Sequence, residues 1–200
     1  MDKKELNLRE KILETSRHLL FTEGHKSLSM RNIAKKVGVS ATSIYLYFDN
    51  KDALIHTLIE ESVEELSSSI EREVQDKVGC IAKFEATIQG YVNYALNNPE
   101  KYDIIYAVQP AAMSRYPKEK FRKVRRSYEL LVDVIEEGKA EGLMALEDPV
   151  IAAYSIWAQL HGVVSVVLNQ RLDSRINKDH FIQESLELII HGFLVKTTVS

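Results

Sequence analysis

Apolar residues recur at intervals of three and four along almost the whole chain, the spacing of one face of an α-helix. Near the N-terminus the pattern runs through Leu8, Ile12 and Leu19 and stops before Gly24, a residue type common just after a helix. Strict alternation of apolar and polar residues, the mark of a strand, is scarce. The pattern predicts an all-α fold of about nine helices, the last from about Asn177 to Lys196.

Two short helices are expected in the segment from residue 29 to residue 48. Ser29 can cap the first, and Gly38 ends it. Ser40 can cap the second, which runs to about Phe48. Two helices joined by a short turn that contains Gly form the helix-turn-helix pattern, whose second helix enters the DNA major groove.

Placed at 100° per residue, the second short helix has two faces and two edges. The inward face holds Ala41, Ile44 and Phe48, the opposite face holds Thr42, Ser43 and Leu46, and the edges hold Tyr45 and Tyr47. Small hydroxylated side chains let a helix approach DNA closely, and Ser and Thr can bond base edges or phosphates. Tyrosine hydroxyls and Lys51 suit phosphates. In the alternative interpretation, the tyrosines are ordinary half-buried residues of a small helical subdomain.

Charge divides the chain in the same place. Residues 1–55 hold 10 Lys and Arg against 7 Asp and Glu, whereas the whole chain has a formal net charge of −3. A basic N-terminal quarter can bind a polyanion even in an acidic protein. We therefore expect a DNA-binding domain over residues 1–50 and a larger domain over residues 51–200.

The chain has one cysteine, Cys80, so an internal disulfide is excluded and a reducing compartment is expected. The charged N-terminus shows no apolar segment typical of a signal peptide. These features predict a cytoplasmic protein.

The segment from Pro149 to Gln170 contains no Lys, Arg, Asp or Glu. Its length alone would suit a membrane span, but polar residues such as Gln159 and His161 interrupt it, and no membrane association is expected. A helix that is apolar nearly all round is buried in a core or an interface. The last helix offers Ile182, Leu186, Ile189 and Phe193 at matching spacing, so the two helices could form a four-helix interface between two copies of the chain.

Aromatic residues in the larger domain could line a pocket for a small, largely apolar or aromatic molecule. Trp157 and His161 are four residues apart and share a helix face. Equally, Trp157 could belong to the core and His161 to an interface. The candidate ligand-binding residues are Phe84, Tyr91, Tyr94, Met113, Tyr128, Trp157 and His161.

Enzyme motifs are absent from the sequence: there is no Gly-rich phosphate loop, no Gly-x-Ser-x-Gly and no His-Glu-x-x-His. His56 and Glu60 have metal-ligand spacing, but two such residues on a helix do not make a site. No cofactor, no metal and no catalytic residue are expected. The basic stretch "FRKVRRSYE" is interpreted as a solvated helix face.

The stretch "SMRNIAKKVGVSATSIYLYFDNKDAL" resembles the DNA-binding signature of the TetR family of bacterial transcriptional regulators. The resemblance is carried by Ser29, Ile33, Ala34, Gly38, Val39, Ser40, Ala41, Thr42, Tyr45, Tyr47, Phe48, Lys51 and Leu54. It implies that Arg31, Thr42 and Tyr45 approach bases and that Ser29, Ser43, Tyr47 and Lys51 approach phosphates, with Ser40 beside them. Thr42 stands where many members have Gly or Ala. The stretch "WAQLHG" is similar to a motif of one C-terminal subfamily.

By this resemblance, the chain is expected to be a repressor that binds a pseudo-palindromic double-stranded DNA operator as a homodimer. The two copies are expected to pair through the last two helices. A small-molecule effector is expected to release the repressor from the DNA. One alternative is a dimeric ligand-binding or interaction module that does not recognise a DNA sequence. The other, less favoured, is an all-helical enzyme that depends on His161.

Overall fold

The computed structural model describes residues 3–24, 27–107, 121–144 and 146–195. Across these ranges the chain forms nine helices and no strand, apart from an isolated β-bridge between Met144 and Leu194. The predicted all-α fold is confirmed. The helices are α1 (Lys3–Glu23), α2 (Met30–Val37), α3 (Ala41–Tyr45), α4 (Lys51–Val74), α5 (Cys80–Asn97), α6 (Pro99–Ala107), α7 (Phe121–Ala140), α8 (Pro149–Leu168) and α9 (Lys178–Phe193).

The chain divides into two compact units. The N-terminal unit is Met1–Val63 with Asn98–Val124, and the C-terminal unit is Glu64–Asn97 with Arg125–Ser200. Helices α4 and α7 therefore each contribute residues to both units. The domain division at residue 50 stays a prediction.

The core of the N-terminal unit gathers apolar residues from its consecutive short and long helices. Ile12 of α1, Ile33 of α2, Ile44 of α3 and Leu54 of α4 are each fully buried. Ile104 of α6 joins the same cluster. Burial of a side chain of this size contributes about 1.5–3 kcal/mol, so one shared core holds helices that are too short to be stable alone.

In the C-terminal unit, α5 packs against α8 and α9 and supplies the fully buried Phe84 and Ile88. Helix α7 contacts the start of α5 closely at Gly138. A Cβ atom added to Gly138 would lie 2.6 Å from the Cys80 Sγ atom and 2.9 Å from the Met144 Sδ atom. The absence of a side chain at this position is what lets Cys80 and Met144 both stay buried.

Two helix ends differ from the prediction. Helix α3 ends at Tyr45 rather than near Phe48, because the Tyr47 and Phe48 amides both donate to the Ile44 carbonyl and tighten the chain into a turn. Helix α9 ends at Phe193 rather than at Lys196. Leu194 is extended, and the Val195 amide donates to the Leu143 carbonyl at 2.9 Å instead of continuing the helix.

Candidate DNA-binding surface and effector region

Hydrogen bonds at both ends of helix α2 fix where the helix begins and ends. The Ser29 hydroxyl accepts a hydrogen bond from the Asn32 amide at 3.2 Å, which confirms Ser29 as the N-cap. At the other end Gly38 has a φ of +82°, a left-handed conformation that costs glycine least. The Gly38 and Val39 amides both donate to the Ala34 carbonyl, at 2.9 and 3.0 Å. This turn fixes the direction in which α3 leaves α2.

Helix α3 has only five residues and is held by its cap and its buried face. The Ser40 hydroxyl accepts from the Ser43 amide at 3.1 Å, and the two hydroxyl oxygens lie 2.8 Å apart. Ile44 is fully buried and Phe48, just after the helix, is 5% exposed. The predicted inward face of α3 is confirmed, and the Ser40 hydroxyl is already engaged in holding the helix start.

The opposite side of α3 faces solvent. Thr42 is exposed, Tyr45 is 52% exposed and Leu46 is 80% exposed. Tyr47 is half-buried and packs against the core cluster, so of the two predicted edge tyrosines Tyr45 is the freer to reach a partner. Ser43 is half-buried beside Ser40. The structure thus presents a hydroxyl, a phenol and an apolar side chain on one small surface, which we call the α3 surface: Thr42, Tyr45 and Leu46.

Positive charge near the helix-turn-helix comes mainly from α2. Arg31, Lys35 and Lys36 are exposed, and Lys36 lies 3.8 Å from a Glu23 carboxylate oxygen. The sequence interpretation singled out Arg31 but not the two lysines, although their place in the last turn of α2 is visible in the sequence. Exposed cations of this kind suit contacts with phosphates, which carry no base preference.

Lys51 begins α4 in a partly buried position. Burial lowers the pKa of Lys51, and the neighbouring Asp52 carboxylate partly opposes that shift. The helix start is capped by Asn50, whose side-chain oxygen accepts from the Ala53 amide at 2.8 Å. An ammonium group that is already partly desolvated loses less hydration when it meets a phosphate.

Three of the predicted effector residues lie together in the C-terminal unit. The ring centroids of Tyr128 and Tyr154 are 4.3 Å apart, those of Tyr154 and Trp157 are 6.3 Å apart, and those of Trp157 and His161 are 5.7 Å apart. The Tyr128 hydroxyl donates to the Val150 carbonyl at 2.5 Å and fixes α7 against the start of α8. We call these four rings the aromatic row: Tyr128, Tyr154, Trp157 and His161.

Burial changes the chemistry of one member of the row. It lowers the pKa of His161, so the imidazole is held in its neutral form. Neutral His161 lies nearly parallel to the Trp157 indole, at an interplanar angle of 20°. The row therefore offers one stacked pair, Trp157 and His161, next to two tilted or edge-on tyrosine rings.

The other predicted effector residues are placed differently. Phe84, Tyr91 and Tyr94 on α5 are 0%, 6% and 5% exposed and belong to the core of the C-terminal unit. Met113 lies outside the described residues.

Sequence reasoning missed a groove in the C-terminal unit, which we call the α5–α9 groove. Its volume is about 810 Å³, and its lining includes Val92 and Leu96 of α5 with Ile182, Leu186 and Ile190 of α9. None of the predicted effector residues that the structure describes is among the residues that line it. The signal was present in the sequence as apolar residues four apart in α9, but it was assigned to the dimer interface alone.

Basic side chains of α7 were interpreted as a solvated face. Of these, the structure describes Arg126, whose guanidinium donates three hydrogen bonds to Glu71 and one, at 2.9 Å, to Glu64. Arg126 therefore ties α7 to α4 within the C-terminal unit. The remaining basic side chains, Arg122, Lys123 and Arg125, lie outside the described side chains.

In the described part of the chain, α8 is long and apolar enough to cross a membrane, by length and composition alone. The structure gives another account of its composition. Ala153, Ile156 and Val164 are fully buried within the C-terminal unit, where α8 packs against α5 and α9. No group of three or more His, Cys, Asp or Glu residues that could hold a metal occurs among the described residues.

Comparison with solved structures supports the fold. A protein of unknown function from Rhodococcus superposes with a TM-score of 0.79 at 24% identity and covers 94% of this chain and 96% of that one. A TetR family transcription regulator from Marinobacter aquaeolei superposes with a TM-score of 0.79 at 16% identity and covers 98% and 100%.

Sequence comparison extends the likeness to function. The HTH-type transcriptional regulator Rv1816 of Mycobacterium tuberculosis is 25% identical over 142 residues, 70% of this chain and 61% of that protein, so the chain spans about three fifths of that relative's length. A family model described as "Bacterial regulatory proteins, tetR family" matches residues 12–58. A second, "Tetracyclin repressor-like, C-terminal domain", matches residues 84–193, more than half of the chain. The chain therefore belongs to the TetR family, whose members are transcriptional regulators with a helix-turn-helix DNA-binding domain and not enzymes.

Proposed function

We propose that the chain is a homodimeric repressor that binds a pseudo-palindromic DNA operator through α3 and is released by a small, largely apolar or aromatic effector. The observation that carries the proposal is the α3 surface. Thr42, Tyr45 and Leu46 point away from a core that holds Ile44 and Phe48. A short helix with a fixed base and an exposed hydroxylated face suits the major groove, where Thr and Leu methyl groups can meet thymine methyl groups.

DNA binding also requires positive charge, and α2 supplies it. Arg31, Lys35 and Lys36 stand exposed on the helix that precedes the turn. In the proposed complex, Lys35, Lys36 and Lys51 bind phosphates and set the register, while Arg31, Thr42 and Tyr45 approach bases. Binding through several such contacts weakens steeply as salt rises, because counterions are released from the DNA.

Dimerisation is proposed through α8 and α9, and exposed apolar side chains support it. At 100° per residue, Ile151, Ser155, Ala158 and Gly162 fall on one face of α8, and all four are exposed. A Cβ atom added to Gly162 would meet nothing within 4 Å. Leu188 on α9 is 73% exposed. A charge-free face of small and aliphatic residues suits a second copy of the same helix pair, and two-fold symmetry matches a pseudo-palindrome with half-sites about 34–36 Å apart.

The effector is proposed to contact the aromatic row. Trp157 and His161 are half-buried and stacked, so a flat apolar molecule can extend that pair, while Tyr154, which is 52% exposed, meets Trp157 edge-on and can border the same molecule. Helix α4 contributes to both units and is tied to α7 by Arg126. We propose that effector binding shifts this helix and favours a dimer whose two α3 helices no longer match the half-sites. A regulator of this kind acts in the cytoplasm, where the DNA is.

The first experiment measures binding of the purified protein to DNA taken from upstream of its own gene, by fluorescence anisotropy, between about 50 and 200 mM salt. Scrambled DNA of the same composition is the competitor. We expect tight, salt-dependent binding to the native fragment and a marked loss with Thr42→Ala combined with Tyr45→Ala. Thr22→Ala, another exposed threonine but on α1, serves as the matched control.

If both DNAs bind equally weakly, selection from random duplexes shows whether the protein recognises a different sequence or no sequence. An enriched pseudo-palindrome keeps the proposal and places the operator elsewhere in the genome. No enriched sequence overturns it in favour of a dimeric module that does not read DNA. For the effector, the test is linkage: any molecule that weakens operator binding by a given factor must itself bind the DNA-bound protein more weakly by the same factor.

A further inference from the structure

The α5–α9 groove has the shape of a helix-binding site. Its lining runs along α5 from Ala82 to Leu96, a rise of about 21 Å, and along α9 from Asp179 to Ile190, a rise of about 16 Å, and it mixes apolar side chains with polar ones such as Gln89, Asn93 and Gln183. The groove is partly open to solvent rather than fully enclosed. A small molecule gains affinity by being enclosed on most of its surface, whereas an amphipathic helix lays one apolar stripe into an open groove and leaves its other face in water.

The floor of the groove offers the contacts that such a stripe needs. Ile182, Leu186 and Ile190 lie at four-residue intervals on α9, with Val92 and Leu96 facing them from α5. Leu96, Ile182 and Ile190 are only half-buried, so each has apolar surface left to cover. Removal of such surface from water contributes about 25 cal/mol per Å².

The rim of the groove carries an uneven charge. Among the described residues that line it, Glu73, Glu85, Asp179 and Glu187 supply four carboxylates, against one ammonium from Lys77. Glu73 lies on α4, Glu85 lies on α5, and Asp179 and Glu187 lie on α9, so an occupant meets carboxylates from three helices. Complementarity therefore selects a partner with Lys or Arg flanking its apolar stripe.

The groove lies away from the surface proposed for dimerisation. On α9, Leu188 falls about 200° from Leu186 around the helix axis, which is nearly the opposite side. A second copy of the chain that covers Leu188 would leave Leu186 and its neighbours open. We propose that the α5–α9 groove docks a basic amphipathic helix of a partner protein, in addition to the DNA and the effector.

The test uses the full-length protein and a synthetic helical peptide of about 18 residues, with Leu at positions i, i+4, i+7 and i+11 and Lys on both flanks of the stripe. Two further peptides separate the contributions. One has the same composition with the stripe scrambled, and the other has Glu in place of every Lys. We expect micromolar binding of the first peptide by fluorescence anisotropy, binding at least about tenfold weaker for the scrambled one, and no binding of the acidic one.

Variants of the protein locate the site. Glu85→Lys combined with Glu187→Lys reverses the charge of both rims, and we expect affinity for the basic peptide to fall at least about tenfold while the acidic peptide gains affinity. The matched control is a double reversal outside the groove, Glu136→Lys with Glu10→Lys, two exposed glutamates of α7 and α1. It changes the net charge equally and should leave peptide affinity within about twofold, apart from the general charge effect. Circular dichroism confirms that each variant is folded.

Three results would overturn the proposal. Equal loss of affinity in the groove and control variants would mean that the peptide senses net charge only. Saturable binding of dodecyltrimethylammonium at the groove, without any preference for the amphipathic peptide over the scrambled one, would assign the groove to a small cation. A change in oligomeric mass caused by the groove variants, with peptide affinity unchanged, would assign it to a second copy of the chain.

Discussion

Helices α3 and α8 both present an exposed face, but the two faces have opposite chemistry. Helix α3 is five residues long and exposes Thr42 and Tyr45, whereas α8 is twenty residues long, carries no charge, and exposes Ile151 and Ala158. Each is held by burial of its other side. A hydroxylated surface suits a hydrated, anionic partner such as DNA, and an apolar surface suits another protein surface or an apolar ligand.

The difference also shows how each helix is stabilised. Helix α3 is too short to persist alone, so it depends on the Ser40 cap and on Ile44 in a core shared with other helices. Helix α8 is capped by Asp148, whose carboxylate accepts from the amides of Val150 and Ile151 at 2.8 and 3.2 Å. A substitution on the exposed side of either helix should therefore change the affinity for its partner more than the stability of the fold.

The largest effect is expected when a carboxylate is placed on the α3 surface. Thr42→Asp puts a negative charge where the DNA phosphates and base edges approach, and we expect operator affinity to fall about 100-fold or more. Anisotropy with the operator fragment measures this. Thr22→Asp carries the same charge on α1 and should cost far less. Equal effects from the two variants would show that α3 has no special place in DNA binding.

The second largest effect is expected from a charge placed in the proposed dimer interface on α9. Leu188→Glu buries a carboxylate in the proposed dimer interface, and we expect dimer affinity to fall about 30-fold, measured by sedimentation or light scattering over a concentration series. Val78→Glu is the control, since Val78 is 92% exposed in the turn before α5, against 73% for Leu188. A dimer unaffected by Leu188→Glu would move the interface away from this face of α9.

A substitution in the interior of the C-terminal unit should reduce the free energy of unfolding more than one on its surface. Gly138→Ala forces a methyl group to within 2.6 Å of the Cys80 Sγ atom, and we expect a loss of about 2 kcal/mol in the free energy of unfolding, measured by urea denaturation. Cys80→Ala removes that sulfur atom. The double variant should therefore recover part of the loss, and strictly additive effects would contradict the contact.

Much of this arrangement follows from the sequence, because local chemistry decides it. Capping by Ser29, the turn at Gly38 and the buried side of α3 were all predicted from residue type and spacing, and the structure confirms them. The length of α3 was overestimated, since the pattern of apolar residues continues to Phe48 although the hydrogen bonding changes after Tyr45. Periodicity identifies the buried side of a helix better than it identifies the last residue.

Other features depend on contacts that no local pattern encodes. Phe84, Tyr91 and Tyr94 were grouped with Trp157 because all are aromatic, and the structure buries the three α5 residues, whose contact with an effector stays a prediction. The α5–α9 groove requires two helices separated by more than eighty residues to lie side by side, as Val92 and Leu186 do. Sequence spacing indicates which face of each helix is apolar, and only the packing shows which face remains open.

The smallest effect is expected in the pH dependence of the free energy of unfolding. The aromatic row contains His161, whereas α3 contains no group that titrates near neutral pH. Burial lowers the pKa of His161, so the unfolded chain takes up that proton more readily than the folded chain. The contribution of His161 to stability is therefore complete above the unfolded pKa of about 6.5 and is lost as pH falls toward the lower folded value. In His161→Gln and His161→Phe, neither of which titrates, urea unfolding between about pH 8 and pH 5 should lose this part of the pH dependence equally. A pH dependence in both variants that is identical to that of the wild type would show that His161 is not held in its neutral form beside Trp157.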